Sequence, residues 1–148
     1  MNKESLKGII GIDLGTTNST VAYVSPDGAI EQFPLLQSLS AQSEGESLML
    51  PSALYIPLQE ELDKKIGSIS WAPEKPFSIG TFARNRGAEA PSRIISSWKS
   101  WLCHTGINRR DALLPLGEEE IHKMSPLEAC SEVLKHIKEA WDQKKTKS

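Results

Sequence analysis

The sequence predicts an α/β protein made of an antiparallel strand meander and a long C-terminal helix. Three observations carry this. Apolar and β-branched residues gather in short runs at Ile9–Leu14, Ser19–Val24 and Ala29–Phe33. The links between these runs are only a few residues long, which suits antiparallel pairing and not a parallel crossover. The segment Ser125-Pro126-Leu127-Glu128 opens a helix, with serine as cap, proline in the first turn and glutamate closing a capping box.

Ile9–Leu14 is expected to be a strand buried on both faces, since it is nearly all apolar. Ser19–Val24 follows as a second strand. Ser25-Pro26-Asp27-Gly28 is a tight turn, with proline at its second position and Asp-Gly after it. Ala29–Phe33 is the third strand. Gln37–Ser47 is polar and serine-rich, and is expected to be a mobile loop. Leu50–Pro57 is extended between two prolines, Gln59–Lys65 is charged surface, and the segment up to Gly80 is irregular. Pro91–Cys103 carries Ile94, Ile95, Trp98, Trp101 and Leu102 at helical spacing. In the last helix, Leu127, Cys130, Val133, Leu134, Ile137 and Trp141 form one apolar stripe, and the tail after Trp141 is expected to fray.

Length and charge exclude several classes. A chain of 148 residues is one domain on length alone. Seventeen Lys and Arg against nineteen Asp and Glu leave a net charge of −2, so no basic stripe points to nucleic acid. The four tryptophans are therefore expected to be packing residues and not a platform for bases. No run reaches the roughly 20 apolar residues of a membrane span. The charged start followed by a run broken at Asp13 is a poor signal peptide. Asn18-Ser19-Thr20 matches a glycosylation sequon, which carries little weight without a secretion signal. Two distant cysteines, Cys103 and Cys130, form no disulfide framework and fit a reducing compartment. Cys103-His104 lacks a second pair at ligand spacing and is expected to be a packed thiol beside a surface histidine. The expected location is cytoplasmic.

The chemistry concentrates in Gly8–Val24, "GIIGIDLGTTNSTVAYV". An ionised Asp13 at the end of a buried strand is costly unless compensated. A hydrogen-bonded turn, a bound cation or a catalytic proton-transfer role would each compensate it. The neighbours favour the cation. Gly15 permits close backbone approach and unusual dihedrals. Thr16 and Thr17 offer hydroxyls, and the successive amides of Gly15–Asn18 can form a donor nest for anionic oxygens. Magnesium takes one or two carboxylates together with phosphate oxygens. The segment is neither a Walker A loop nor a dinucleotide fingerprint, so phosphates would lie on a β-hairpin. A plain Gly-Thr-Thr turn remains the competing account.

"IGIDLGTTNSTVA" resembles the first phosphate-binding segment of the seventy-kilodalton heat-shock chaperones, within the actin, sugar-kinase and chaperone ATPase group. Later pieces match in order: Glu44-Gly45 with Pro51–Tyr55, Ile79–Asn85, Ser97–Leu102 and the helix from Ser125 to Trp141. The resemblance is weakest over Gln37–Ser47 and Leu58–Ser78. It implies an incomplete ribonuclease-H-like, actin-like ATPase lobe, an antiparallel meander plus crossover helix with a small inserted α/β subdomain. The divisions would be 1–34, 35–115 and 116–148. It also implies ATP and Mg²⁺ as ligands. Asp13 would hold a water of the magnesium shell, and Gly15, Thr16, Thr17 and Asn18 would wrap the β- and γ-phosphates, Thr16 nearest the transferred group. Lys99 would reach the γ-phosphate as a point charge. On spacing alone Lys99 is a solvated residue on a tryptophan-rich helix. Ser100, Cys103 and Arg84 depart from the family's arginine, glycine and lysine.

The resemblance further implies that a returning strand, a second phosphate loop, an adenosine pocket, a general base and a peptide-binding domain lie outside this chain. The chain is thus expected to be the ATP-binding portion of such a chaperone, unable to hydrolyse ATP alone and binding it weakly at best. Unfolded clients and co-chaperones would act through the remainder; nucleic acid and membrane are not expected as partners. Two other readings stay open: a piece of a sugar- or acetate-kinase-like enzyme, and a non-catalytic module that recruits a partner through an exposed strand edge.

Overall fold

A computed structural model describes residues 8–117 and 120–147. The charged opening residues 1–7 and Ser148 at the end of the tail lie outside the described residues.

The predicted meander is present. β1 (Ile10–Leu14), β2 (Asn18–Val24) and β3 (Ile30–Gln32) pair antiparallel in that order. The Ser25–Gly28 turn closes with the Gly28 amide on the Ser25 carbonyl at 2.9 Å, and Gly28 takes φ 86°, which glycine adopts without penalty. β3 pairs only with Ala22–Val24, so the start of β2 is free to accept another strand. β6 (Leu50–Pro51) takes that place, with Asn18 opposite Pro51 and Ser19 opposite Leu50.

β1 is not buried on both faces. It is the edge strand of the sheet, hydrogen-bonded on one side only among the described residues. Ile9, Ile10 and Ile12 are 78, 43 and 45% exposed. The apolar run reads as buried, but burial needs a neighbour on each side and each face, and among the described residues β1 pairs with β2 alone. Ile9 and Ile30 both neighbour Val24 across the strands, and Ile30 is as open as Ile9. The opposite face is covered by the last helix, where Trp141 meets Tyr23 and Phe33 edge-on and tilted, at 5.5 and 4.7 Å between centroids.

Gln37–Ser47 is not a loop. β4 (Leu35–Ser40) and β5 (Ser43–Ser47) form a hairpin with a bulge near Ser38 and Ser40. Gln37 is fully buried within it. Its amide nitrogen donates to the Met49 carbonyl at 3.0 Å, and its oxygen accepts from the Thr81 amide and hydroxyl, both at 2.9 Å. A buried amide so partnered costs little, and its polarity in sequence is misleading.

β7 (Leu54–Tyr55) is the middle strand of a third sheet, between β8 (Ser78–Ile79) and β9 (Ile94–Ile95). Two short helices were not anticipated as helices: α1 (Gln59–Asp63) and α2 (Thr81–Glu89). Glu61 on α1 is buried and accepts from the Tyr55 hydroxyl, the Leu58 amide and Arg86 Nε at 2.7–2.9 Å. These donors hold its carboxyl below the usual range against the cost of burial, while burial and that same carboxylate push the Tyr55 phenol up to about 12.

Pro91–Cys103 is broken where one helix was expected. Pro91–Arg93 is a 3₁₀ turn, β9 follows, and only α3 (Trp98–Leu102) is helical. The β-branched pair Ile94–Ile95 is drawn into the third sheet opposite Tyr55 and Leu54. Cys103 is exposed and not packed, and Cys130 is half-buried; both are free thiols.

α4 (Pro126–Lys147) begins as expected and runs through the tail that was expected to fray. The Ser125 hydroxyl accepts from the Glu128 amide at 3.0 Å, and Glu128 accepts from the Ser125 amide at 2.9 Å. The buried face comprises Ala129, Val133, His136, Ile137, Ala140 and Trp141, whereas Leu127 and Leu134 are 41 and 39% exposed. Replacing Ser125 with alanine should lower stability by about 1 kcal/mol, read from the urea midpoint at unchanged m. One apolar core joins the three sheets and α4, with Leu35, Leu54 and Trp98 at or near full burial. No helix among the described residues is long and apolar enough to cross a membrane.

Candidate functional site

The β1–β2 turn, Gly15–Thr17, lies between strands paired up to Leu14 and Ser19. Gly15 does not take a left-handed φ; the glycine is required by crowding, since a Cβ there would sit 2.1 Å from the Asn18 carbonyl oxygen. Thr16 and Thr17 are exposed, and Asn18 is half-buried. Among the described residues the turn makes its non-ladder backbone bonds through carbonyls. Gly15 O accepts from the Ser52 hydroxyl at 2.7 Å, and Thr17 O from the Ser52 amide at 2.9 Å. The amides of Gly15, Thr16 and Thr17 donate in no such bond.

Asp13 is opposite Thr20 on the edge strand, and it is exposed. The premise that its charge is buried is therefore not met, and no compensation for burial is required. What remains is a solvent-facing carboxylate two residues before the turn.

Lys99 reaches the same place from α3. Its ammonium donates to the Leu14 carbonyl at 2.6 Å across 85 residues of sequence. Lys99 is half-buried, not solvated as its spacing implies. The neighbouring Trp98 is 1% exposed and donates from its indole to the Ser52 carbonyl at 2.9 Å, which fixes α3 against β6. The structure thus gathers Asp13, Gly15, Thr16, Thr17, Asn18 and Lys99 around one turn. Ser100, Cys103 and Arg84, which depart from the chaperone pattern, are exposed.

The chemistry of this set suits a magnesium triphosphate: an exposed carboxylate for the metal's water, two hydroxyls, an ammonium and, at Thr16 and Thr17, amides that donate in no backbone bond outside the ladders. Sequence reasoning missed Ser52 and Ser19 as parts of the site. Ser52 stands in Leu50–Tyr55 as one small polar residue in an apolar segment, and that contrast was the available signal. No group of three or more potential metal-ligating side chains occurs among the described residues.

A short stretch of the chain is similar to a chaperone. Over 31 residues it is 52% identical to the chaperone protein DnaK of Thermotoga petrophila, covering 21% of this chain and 5% of that protein. The figures are the same for DnaK of Thermotoga neapolitana and of Thermotoga maritima. The matched stretch spans about a twentieth of these relatives' length, so the similarity supports a chaperone relation and nothing finer. No protein-family model and no solved structure matches the chain.

Proposed function

We propose that the chain is the ATP-binding portion of a chaperone of the seventy-kilodalton heat-shock family, on an actin-like ATPase lobe, gripping the phosphates of Mg-ATP at the Gly15–Asn18 turn. The observation that carries this is the Lys99 ammonium on the Leu14 carbonyl at 2.6 Å, beside an exposed Asp13. A cation drawn from 85 positions away to the rim of a Gly-Thr-Thr turn is hard to account for by turn chemistry alone. Thr16, Thr17 and the turn amides would hold phosphate oxygens, Lys99 would balance γ-phosphate charge, and Asp13 would orient a water of the metal shell. Magnesium, when bound, neutralises phosphate charge. Hydrolysis and client folding would require further lobes and domains of such a chaperone.

Calorimetric titration of Mg-ATP tests this. Lys99→Met should weaken binding by about tenfold or more, the worth of one charge-assisted hydrogen bond. Asp13→Asn should remove the gain in affinity that magnesium gives. No turnover is expected from the chain by itself. Absence of Mg-ATP binding to the wild-type chain would overturn the proposal.

A second reading is favoured by the open β1 edge and the exposed Ile9 and Ile30: a non-catalytic module that recruits a partner by strand addition. A monodisperse, cooperatively melting chain that ignores Mg-ATP would point to it.

A further inference from the structure

Ser52 has no role in the chemistry proposed above, yet its polar groups are committed around the turn. It is 1% exposed. Its hydroxyl donates to Gly15 O at 2.7 Å. A hydroxyl carries one proton, so in the 2.9 Å contact with Ser19 Oγ it is Ser19 that donates. The Ser52 amide donates to Thr17 O at 2.9 Å, and its carbonyl accepts from the Trp98 indole at the same distance.

A trans peptide group is planar, with the carbonyl of one residue and the amide of the next pointing in opposite directions. Fixing Gly15 O therefore fixes the Thr16 N–H, and fixing Thr17 O fixes the Asn18 N–H. Both amides are turned away from Ser52. The Lys99 bond to Leu14 O does the same for the Gly15 N–H. Three peptide planes of the turn are thus set by two residues, and those residues are themselves linked through Trp98, the neighbour of Lys99.

We infer that Ser52 is a positioning residue for the phosphate-binding turn: it aims the Thr16 and Asn18 amides and holds the turn at a set distance from the helix that carries Lys99. This rests on the nucleotide reading given above. Ser52 touches no ligand in this role. Its effect is on affinity, through the orientation of donors that would otherwise have to be organised on binding.

The test is titration of Mg-ATP into the full chain and its Ser52→Ala, Ser52→Cys and Ser52→Thr forms. The amide resonances of Gly15–Asn18 are followed by NMR, and each form's melting temperature is recorded. Alanine and cysteine should raise Kd by about fivefold or more, the equivalent of one neutral hydrogen bond, and should shrink the Thr16 shift. Threonine, which restores the hydroxyl, should recover both. Cysteine keeps the side-chain volume and serves if alanine does not fold. Wild-type affinity in whichever of these two forms folds would overturn the role of Ser52 and leave the nucleotide site standing. A loss of affinity that only tracks melting temperature, without recovery in threonine, would overturn it as well. No ligand-induced shift at Gly15–Asn18 in the wild-type chain would overturn both the role and the nucleotide reading.

Discussion

Replacement of Trp98 with alanine should lower the stability of the chain by about 3–5 kcal/mol, read as a fall in the urea midpoint. Small domains hold only about 5–15 kcal/mol in all, so this loss is a large fraction of the total. Two physical losses add. The indole is the largest fully buried side chain among the described residues, and its removal leaves a void in the core that joins the three sheets to α4. Its Nε1 proton also satisfies the Ser52 carbonyl at 2.9 Å. Trp98→Phe separates the two, because it keeps most of the volume and orphans the carbonyl, and should cost about 1–3 kcal/mol. A midpoint for Trp98→Ala equal to that of the wild type would contradict the packing described here.

Acid should destabilise the chain before its carboxylates are neutralised. His136 is 3% exposed on α4, and burial pushes its imidazole down to about 4. The ring nitrogen Nε2 donates to the Leu36 carbonyl at 3.0 Å, and the Trp71 ring lies 5.4 Å away between centroids. The charged groups facing it are Lys75, which opposes protonation, and Glu139, which favours it less. Glu139 is itself engaged by Trp71 Nε1 and Lys75 Nζ at 2.7 and 2.8 Å. The unfolded chain takes up a proton at His136 near pH 6.5, whereas the folded chain resists until about 4. Stability from the neutral ring is therefore complete above about 6.5, falls as pH drops toward 4, and is gone below it, a loss of about 3 kcal/mol. Chemical denaturation between pH 7 and 4.5 should show this decline, and His136→Gln should flatten it. The carboxyls of Glu61 and Glu139, held below their usual range, contribute only at the lower end of that window. A wild-type stability that is constant from pH 7 to 4.5 would refute the assignment.

What the sequence discloses is local, and what it hides is long-range. The β1–β2 turn, the Ser25–Gly28 turn and the Ser125 cap are each specified by residues within a few positions of one another. The β4–β5 hairpin is hidden because Gln37 is made core-compatible by Met49 and Thr81, partners 12 and 44 residues away. α2 is hidden because "TFARNRGAE" has little apolar periodicity; only Phe82, Ala83 and Gly87 are buried. At Ile94–Ile95 the helical spacing is genuine but loses to strand pairing with β7. In α4 the apolar residues are as expected, yet the buried face also takes in His136 and two alanines and leaves Leu127 and Leu134 outside. The candidate site follows the same division. The turn residues are legible from their own chemistry, while the placement of Lys99 and the part played by Ser52 depend on contacts across 85 and 37 positions.

That division carries a kinetic consequence. The hairpin of β1 and β2 needs no distant residue and can close on the scale of about 1–10 microseconds. The Ser52 contact encloses 37 residues of chain and the Lys99 contact 85, so each waits on progressively larger loops being drawn shut. During refolding, tight-turn signals should thus appear well ahead of the contacts that bring Ser52 and Lys99 to the turn.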